Sequence, residues 1–211
     1  MALPQAQAAP PQLQIAAPQV PTALVPHQVG IFPAYITTQE ETLIVRERTL
    51  SLSGDDFNIR HANGQLIFRV EGQVMSVSRR KRVYDMRGNH LFSIVKELFH
   101  IHTTYALENP QGMKFMEVKS NFRMFGSKAK ATFNSIDGSA EVLQMNGSWL
   151  DFAAHIVDRI TGNVVARIDR RFNGRDLLLG RQTYALVVSP HVDMALMAAM
   201  CICLDEKNNE R

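Results

Sequence analysis

The run from Met194 to Leu204 restricts the possible folds more than any other part of the chain, because it contains no polar side chain. Alanine, leucine and methionine favour helix, and the run lacks the polar and apolar alternation that is typical of a half-buried strand. A helix that is apolar on every side has to be buried on every side. Since Ser189 fits the N-cap and Pro190 the first turn, the sequence predicts a helix over about 190–206.

Either lipid or protein could bury such a helix, and its length favours protein. A helix over 192–204 rises about 20 Å, whereas the hydrocarbon core of a bilayer is about 30 Å thick. We therefore expect a central core helix and no transmembrane span.

The overall composition is that of an ordinary globular protein, with 45% hydrophobic and 20% charged residues. A net charge of +3 is too small to indicate a nucleic-acid partner. Cys201 and Cys203 are the two cysteines, and their spacing in a helix points them away from each other. With no disulfide expected between them and no secretion signal, the sequence predicts a cytoplasmic protein.

Residues 1–38 differ from the rest of the chain, since they contain no Asp, Glu, Lys or Arg and hold seven of the nine prolines. Such a segment cannot bury a hydrophobic core of its own. The sequence therefore predicts a disordered tail over 1–38 and one folded domain over 39–211.

From Thr42 onward, short apolar runs alternate with turn signals such as Asn63-Gly64, which is typical of antiparallel hairpins. The predicted strands include 66–70, 91–98, 99–107, 113–122, 128–134, 141–145, 152–158, 164–172 and 183–189. A closed barrel has no open edges, and it can cover a helix on all sides. The strand pattern and the apolar run together favour an antiparallel barrel around its own carboxyl-terminal helix.

Several segments resemble the LURP-one-related family in order and spacing. They are Asn63–Val70, Lys81–Asp85, Asn146–Leu150, Gly162–Ile168, Leu179–Tyr184, Val192–Leu196 and Leu204–Glu206. The resemblance spans about residues 40–211 and implies a tubby-like fold, in which twelve antiparallel strands surround a central hydrophobic carboxyl-terminal helix. Phospholipid scramblases are relatives within the same superfamily.

The resemblance implies a binding module, since members of this family have no established enzymatic reaction. Tubby proteins bind phosphoinositides through paired basic residues on the barrel wall. The leading hypothesis is therefore a non-enzymatic module that docks on anionic phospholipid, peripherally at membranes, in a regulatory role. The alternatives are a protein-interaction or structural scaffold without lipid binding, and a membrane-inserted, scramblase-like protein.

Two sets of basic residues are candidates for lipid binding. The first is the run Arg79-Arg80-Lys81-Arg82, which could hold a multiply charged headgroup; a solvated face and a nuclear import signal are the other interpretations. Within a regular strand, one pair of this run would point into the barrel, so the sequence favours a run that spans a loop and the start of a strand. The second set contains Arg167 and Arg171, which share the outer face of one predicted strand with Asp169 between them, so neutralisation by Asp169 is the alternative.

The sequence predicts neither a metal site nor a cofactor nor a catalytic centre. His100 and His102 would share a strand face, but no third ligand can be placed beside them, and His155 is interpreted as a strand histidine too. Trp149 is interpreted as a core anchor at a strand start. The chain contains no glycine-rich phosphate loop, nucleophile elbow or HExxH motif.

Overall fold

Antiparallel strands close into a twelve-stranded barrel in the computed structural model, and each strand pairs with its neighbours in the chain. The structure describes residues 25–48, 56–73, 79–121, 128–148, 153–169 and 183–209. The first and last strands pair with each other, from Glu41 opposite Val188 to Arg46 opposite Thr183. This closure confirms the predicted barrel.

The strands are β1 (Glu41–Arg48), β2 (Asp56–His61), β3 (Leu66–Gly72), β4 (Lys81–Asp85), β5 (His90–Glu97), β6 (Thr103–Glu108), β7 (Lys114–Asn121), β8 (Lys128–Asn134), β9 (Ala140–Ser148), β10 (Ala153–Asp158), β11 (Val164–Asp169) and β12 (Thr183–Val188). One α-helix, α1 (Met194–Asn209), follows them, and a short 3₁₀ turn at Pro33–Tyr35 precedes them.

Alternation along the strands separates the core from the outer wall. In β3, Phe68 and Val70 are fully buried, while Arg69 between them is exposed. The interior side chains of the strands contact α1, whose residues 194–206 are all buried. The predicted central helix is therefore confirmed. Among the described residues, no helix is both long enough and apolar enough to cross a membrane.

The helix begins at Met194, four residues later than predicted, because the backbone of the preceding residues is not helical. His191 has a left-handed φ of 67°, and Val192 and Asp193 form isolated bridges to the amino-terminal segment. Asp193, and not Ser189, caps the helix: its Oδ1 accepts the N–H groups of Ala195 and Leu196, at 2.9 and 3.3 Å.

Residues 25–38 are part of the fold, so the prediction of a disordered tail is wrong for them. Val25 and Val29 are buried in the core. The N–H of Val29 donates to the carbonyl of His191, at 2.9 Å, and the N–H of Asp193 donates to the carbonyl of Val29, at 3.0 Å. The composition of this proline-rich segment could not show that Val25 and Val29 pack against the end of the barrel. Residues 1–24 lie outside the described part of the chain.

Asp193 joins this segment to the helix through a shared carboxylate. Its Oδ2 accepts the N–H groups of Ile31 and Phe32, at 3.0 and 2.8 Å. A Cβ at Gly30 would lie only 2.3 Å from the Cβ of Asp193, so glycine is needed at this close approach. Burial raises the pKa of Asp193 to about 6, although all four of these hydrogen bonds act to lower it.

The barrel has two unlike ends. We call the end where α1 begins the helix-start end; the loops 62–65, 86–89, 109–113, 135–139 and 159–163 lie there. The β5–β6 connection, residues 98–102, lies at the opposite end. The sequence predicted strand across Phe99–His102, but these residues form an exposed turn in which Phe99 has a φ of 69°. His100 and His102 therefore do not share a strand face.

Candidate anion-binding site on the barrel wall

The basic run 79–82 spans the beginning of β4, and alternation sends its members to different sides of the wall. Lys81 points into the barrel, where its side chain is 3% exposed and its Nζ lies 2.9 Å from Oε1 of Glu206 on α1. Its ammonium also lies 5.5 Å from the centre of the Phe57 ring. Lys81 therefore cannot contact a lipid outside the barrel, and the prediction that placed it in such a site has to be corrected.

Arg80 and Arg82 differ from Lys81 because they face outward. Arg80 is half-buried, and its Nη1 lies 2.8 Å from Oε2 of Glu108 on β6. Arg82 is exposed and has no ion-pair partner within the described ranges. Arg82 is thus the cation of this pair that remains available to an external anion.

A concave site of about 370 Å³ lies beside these two arginines, and we call it the wall pocket. It is lined by Arg80, Arg82, Tyr84, His90, Ser93, Asn109, Pro110 and Gly112. Strand register explains the arrangement, because Arg82 lies opposite Ser93 and Tyr84 lies opposite His90 in the β4–β5 ladder. The pocket therefore depends on β4, β5 and the β6–β7 turn together.

Positive charge dominates the electrostatics of the wall pocket. The pKa of His90 is lowered from its usual value, first by burial and then by the nearby charges of Arg82 and Arg80. The ring of His90 is 3.1 Å from Oγ of Ser93 and packs against Tyr84 at a centroid distance of 5.4 Å. Since Arg80 and Arg82 both line the pocket, their charges favour the approach of an anion.

The remaining predicted residues do not join the wall pocket. Arg167 lies on β11, on a distant part of the wall, and its Nη2 is 3.0 Å from Oε2 of Glu40. Glu40 therefore accompanies Arg167 in an ion pair on that face. Arg79 is exposed, with a left-handed φ of 44° just before β4. Arg171 and Trp149 lie outside the described residues.

Sequence reasoning missed Tyr84, His90 and Ser93. Tyr84 lies two residues after Arg82, so alternation places both on the outer face, and this signal was present in the sequence. His90 and Ser93 come from the next strand, and a register shift between Val83 and Tyr84 brings His90 opposite Tyr84. A bulge of this kind could not be located from residue types alone.

These features define the class of protein: an antiparallel barrel filled by its own carboxyl-terminal helix, with a basic pocket on its outer wall. The model of the LURP-one-related family matches residues 41–205, and the chain belongs to this family.

Individual comparisons agree with the family match. The chain is 20% identical to Protein LURP-one-related 15 of Arabidopsis thaliana over 188 residues, covering 86% of this chain and 87% of that protein. It is 26% identical to Protein LURP-one-related 4 of the same plant, covering 82% and 81%. An X-ray structure of an Arabidopsis thaliana protein superposes with a TM-score of 0.58 at 16% identity, covering 86% of this chain and 99% of that one.

Proposed function

We propose that this barrel is a non-enzymatic binding module of the cytoplasm that docks peripherally on membranes by binding an anionic lipid headgroup in the wall pocket. The observation that carries the proposal is the exposed guanidinium of Arg82, which has no acidic partner in the described structure and borders a pocket of about 370 Å³. Arginine suits phosphate because its planar donors bind two oxygens at once.

The neighbours of Arg82 fit the same ligand. Arg80 is held in place by Glu108, so its guanidinium reaches the pocket in a fixed position. The side-chain amide of Asn109 can donate a hydrogen bond to a further oxygen, and Tyr84 offers an aromatic face, over which Arg69 also lies at 5.5 Å. Together they suit a phosphorylated polyol headgroup, as in a phosphoinositide.

Reversing both pocket charges should abolish docking. We expect Arg80→Glu/Arg82→Glu to bind phosphoinositide-containing vesicles at least about 30-fold more weakly than the wild type, since each arginine near an anionic surface contributes about 1 kcal/mol and its reversal adds repulsion. The measurement is co-flotation with vesicles of neutral lipid, of phosphatidylserine or of phosphoinositide, each at low and high salt.

The chain offers a matched control for this charge reversal. Lys128→Glu/Lys130→Glu changes the net charge by the same amount on the exposed face of β8, away from the pocket. This control should float like the wild type. Equal losses for the two variants, with salt removing all binding, would show diffuse attraction to a basic protein and would refute the pocket.

His90 should make docking depend on pH. In the free protein the pKa of His90 is lowered from its usual value, owing first to burial and then to Arg82 and Arg80. A bound anion favours the protonated ring, so affinity for phosphatidylserine vesicles should rise as pH falls from 7.5 through that pKa. His90→Gln should remove this increase; a variant with an unchanged pH profile would contradict the role of His90.

A second candidate function is protein binding, and the β5–β6 loop favours it. Phe99 and Ile101 are almost fully exposed at its tip, and Leu98 beside them is 42% exposed. Exposed apolar clusters often mark interaction sites. If wild-type protein floats with none of the vesicles, this loop becomes the first surface to test against protein partners.

A further inference from the structure

Three potential metal ligands meet at the helix-start end, away from the wall pocket. They are His27 of the amino-terminal segment, Glu141 at the start of β9 and Asp158 at the end of β10. One ligand atom from each lies within 4.8 Å of the others, and this is the only such trio among the residues that the structure describes.

Strand alternation directs both carboxylates inward. Glu141 is in phase with the core residue Leu143, and Asp158 is in phase with the core residue Ile156. Glu141 is 1% exposed and Asp158 fully buried, whereas the side chain of His27 is 28% exposed. The three groups thus form a buried acidic site at the barrel rim, and His27 covers its solvent side.

The described hydrogen bonds of Glu141 all involve one of its two carboxylate oxygens. Its Oε1 is 2.9 Å from Nε2 of His27 and accepts the hydroxyls of Ser135 and Ser139, at 3.1 and 3.0 Å. Its Oε2 is buried and has no hydrogen-bond partner among the residues that the structure describes. A buried carboxylate oxygen without a donor is costly, and a metal ion is one of the few groups that can satisfy it beside a second carboxylate.

We propose that His27, Glu141 and Asp158 bind one divalent transition-metal ion, with Zn²⁺ the best match. An imidazole nitrogen with two carboxylates suits Zn²⁺, whereas Mg²⁺ and Ca²⁺ prefer sites built entirely from oxygen. Bonds of about 2.1 Å place tetrahedral ligand atoms about 3.4 Å apart. A pair separated by up to 4.8 Å therefore has to close by at most about 1.4 Å, which side-chain torsions can supply, and solvent beside His27 offers a fourth ligand.

The metal acts as a clamp between the amino-terminal segment and the barrel. The segment already contacts the β8–β9 turn next to the site, because the N–H of Gly30 donates to Oγ of Ser135 and the N–H of Ile136 donates to the carbonyl of Gly30. The same serine donates a hydrogen bond to Oε1 of Glu141, and hydrogen bonds of this kind orient the ligands in metal sites. The inference is independent of lipid binding.

Zinc binding by the full chain tests the proposal. After treatment with a chelator, the protein should bind one equivalent of Zn²⁺ by titration calorimetry, melt at a higher temperature with Zn²⁺ than without it, and bind Mg²⁺ and Ca²⁺ far more weakly. Co²⁺ should give the visible spectrum of a nitrogen and oxygen site without thiolate ligands. Absence of stoichiometric Zn²⁺ binding by the wild-type chain would overturn the proposal and leave a His27–Glu141 ion pair.

Two ligand variants and one control locate the ion. His27→Gln and Glu141→Gln should each weaken Zn²⁺ binding by at least about 100-fold, since even the loss of a residue that only hydrogen-bonds a ligand costs about 10–100-fold. His61→Gln is the matched control, because His61 also pairs with a carboxylate, at 3.6 Å from Glu41, but belongs to no trio of ligands in the described part of the chain. Unchanged affinity in His27→Gln would place the ion elsewhere and refute the site; that variant remains informative even if Glu141→Gln fails to fold.

Discussion

Asp193→Ala is expected to destabilise the barrel by at least about 4 kcal/mol, because it leaves four backbone N–H groups without their acceptor at about 1–3 kcal/mol each. The four donors belong to Ile31, Phe32, Ala195 and Leu196. Two start the central helix and two belong to the amino-terminal segment, so one carboxylate holds both elements. A loss of this size is comparable to the whole net stability of many domains.

The free energy of unfolding in urea at pH 7.5 measures this effect. At that pH the carboxylate is ionised, since its raised pKa is about 6. Asp137→Ala is the control: Asp137 also accepts an N–H and a hydroxyl, both from Ser139, but it is exposed in the β8–β9 turn. Surface substitutions of this kind usually change stability by less than about 0.5 kcal/mol beyond a lost hydrogen bond. Similar losses for the two variants would contradict a special role for Asp193.

Lys81→Met should cost about 3–5 kcal/mol because it removes the ammonium that lies beside the buried carboxylate of Glu206. Both side chains are less than 5% exposed and their charged atoms are 2.9 Å apart. Lys81→Met/Glu206→Met should recover most of the loss, since a well-packed apolar pair is often as stable as a buried ion pair. The buried charge of Glu206 also raises the pKa of the Cys203 thiol, after the larger effect of burial, so we expect this thiol to be unreactive.

A double-mutant cycle on unfolding free energies measures the coupling between Lys81 and Glu206. The exposed pair Lys114–Glu117, at 2.7 Å, provides the comparison, and its coupling should fall between about 0.2 and 1 kcal/mol. Additive effects of the two buried substitutions would show that the interior charges act independently of each other.

Much of the fold could be predicted from the sequence because two patterns agreed. The apolar run around Leu196 required complete enclosure, and alternation such as Phe68 and Val70 against Arg69 indicated strands. The start of the helix could not be placed, because Ser189 and Pro190 match the ordinary helix-start pattern equally well. Only the contact of Asp193 with residues distant in sequence settled which residue caps the helix.

The candidate site was only half predictable. Alternation within 79–82 indicated that neighbouring cations face opposite sides, but β4 begins only at Lys81, so Lys81 points inward while Arg79, before the strand, is exposed. His90 entered the pocket through a register shift, and Phe99–His102 turned out to be a connection although their composition resembles a strand. The trio His27, Glu141 and Asp158 does not form a short sequence motif. His27 and Glu141 are 114 residues apart, and Asp158 lies on a different strand from Glu141.

The position of α1 in the chain has a consequence for biosynthesis. All twelve strands leave the ribosome before the helix that fills them, and the barrel seam between β1 and β12 also waits for residues near 188. Until then the nascent chain exposes the apolar inner faces of its strands, and such surfaces recruit chaperones or aggregate. A message truncated before the codon for Met194 would yield the twelve strands without the helix that fills them. We expect cells to degrade such truncated chains rather than accumulate them.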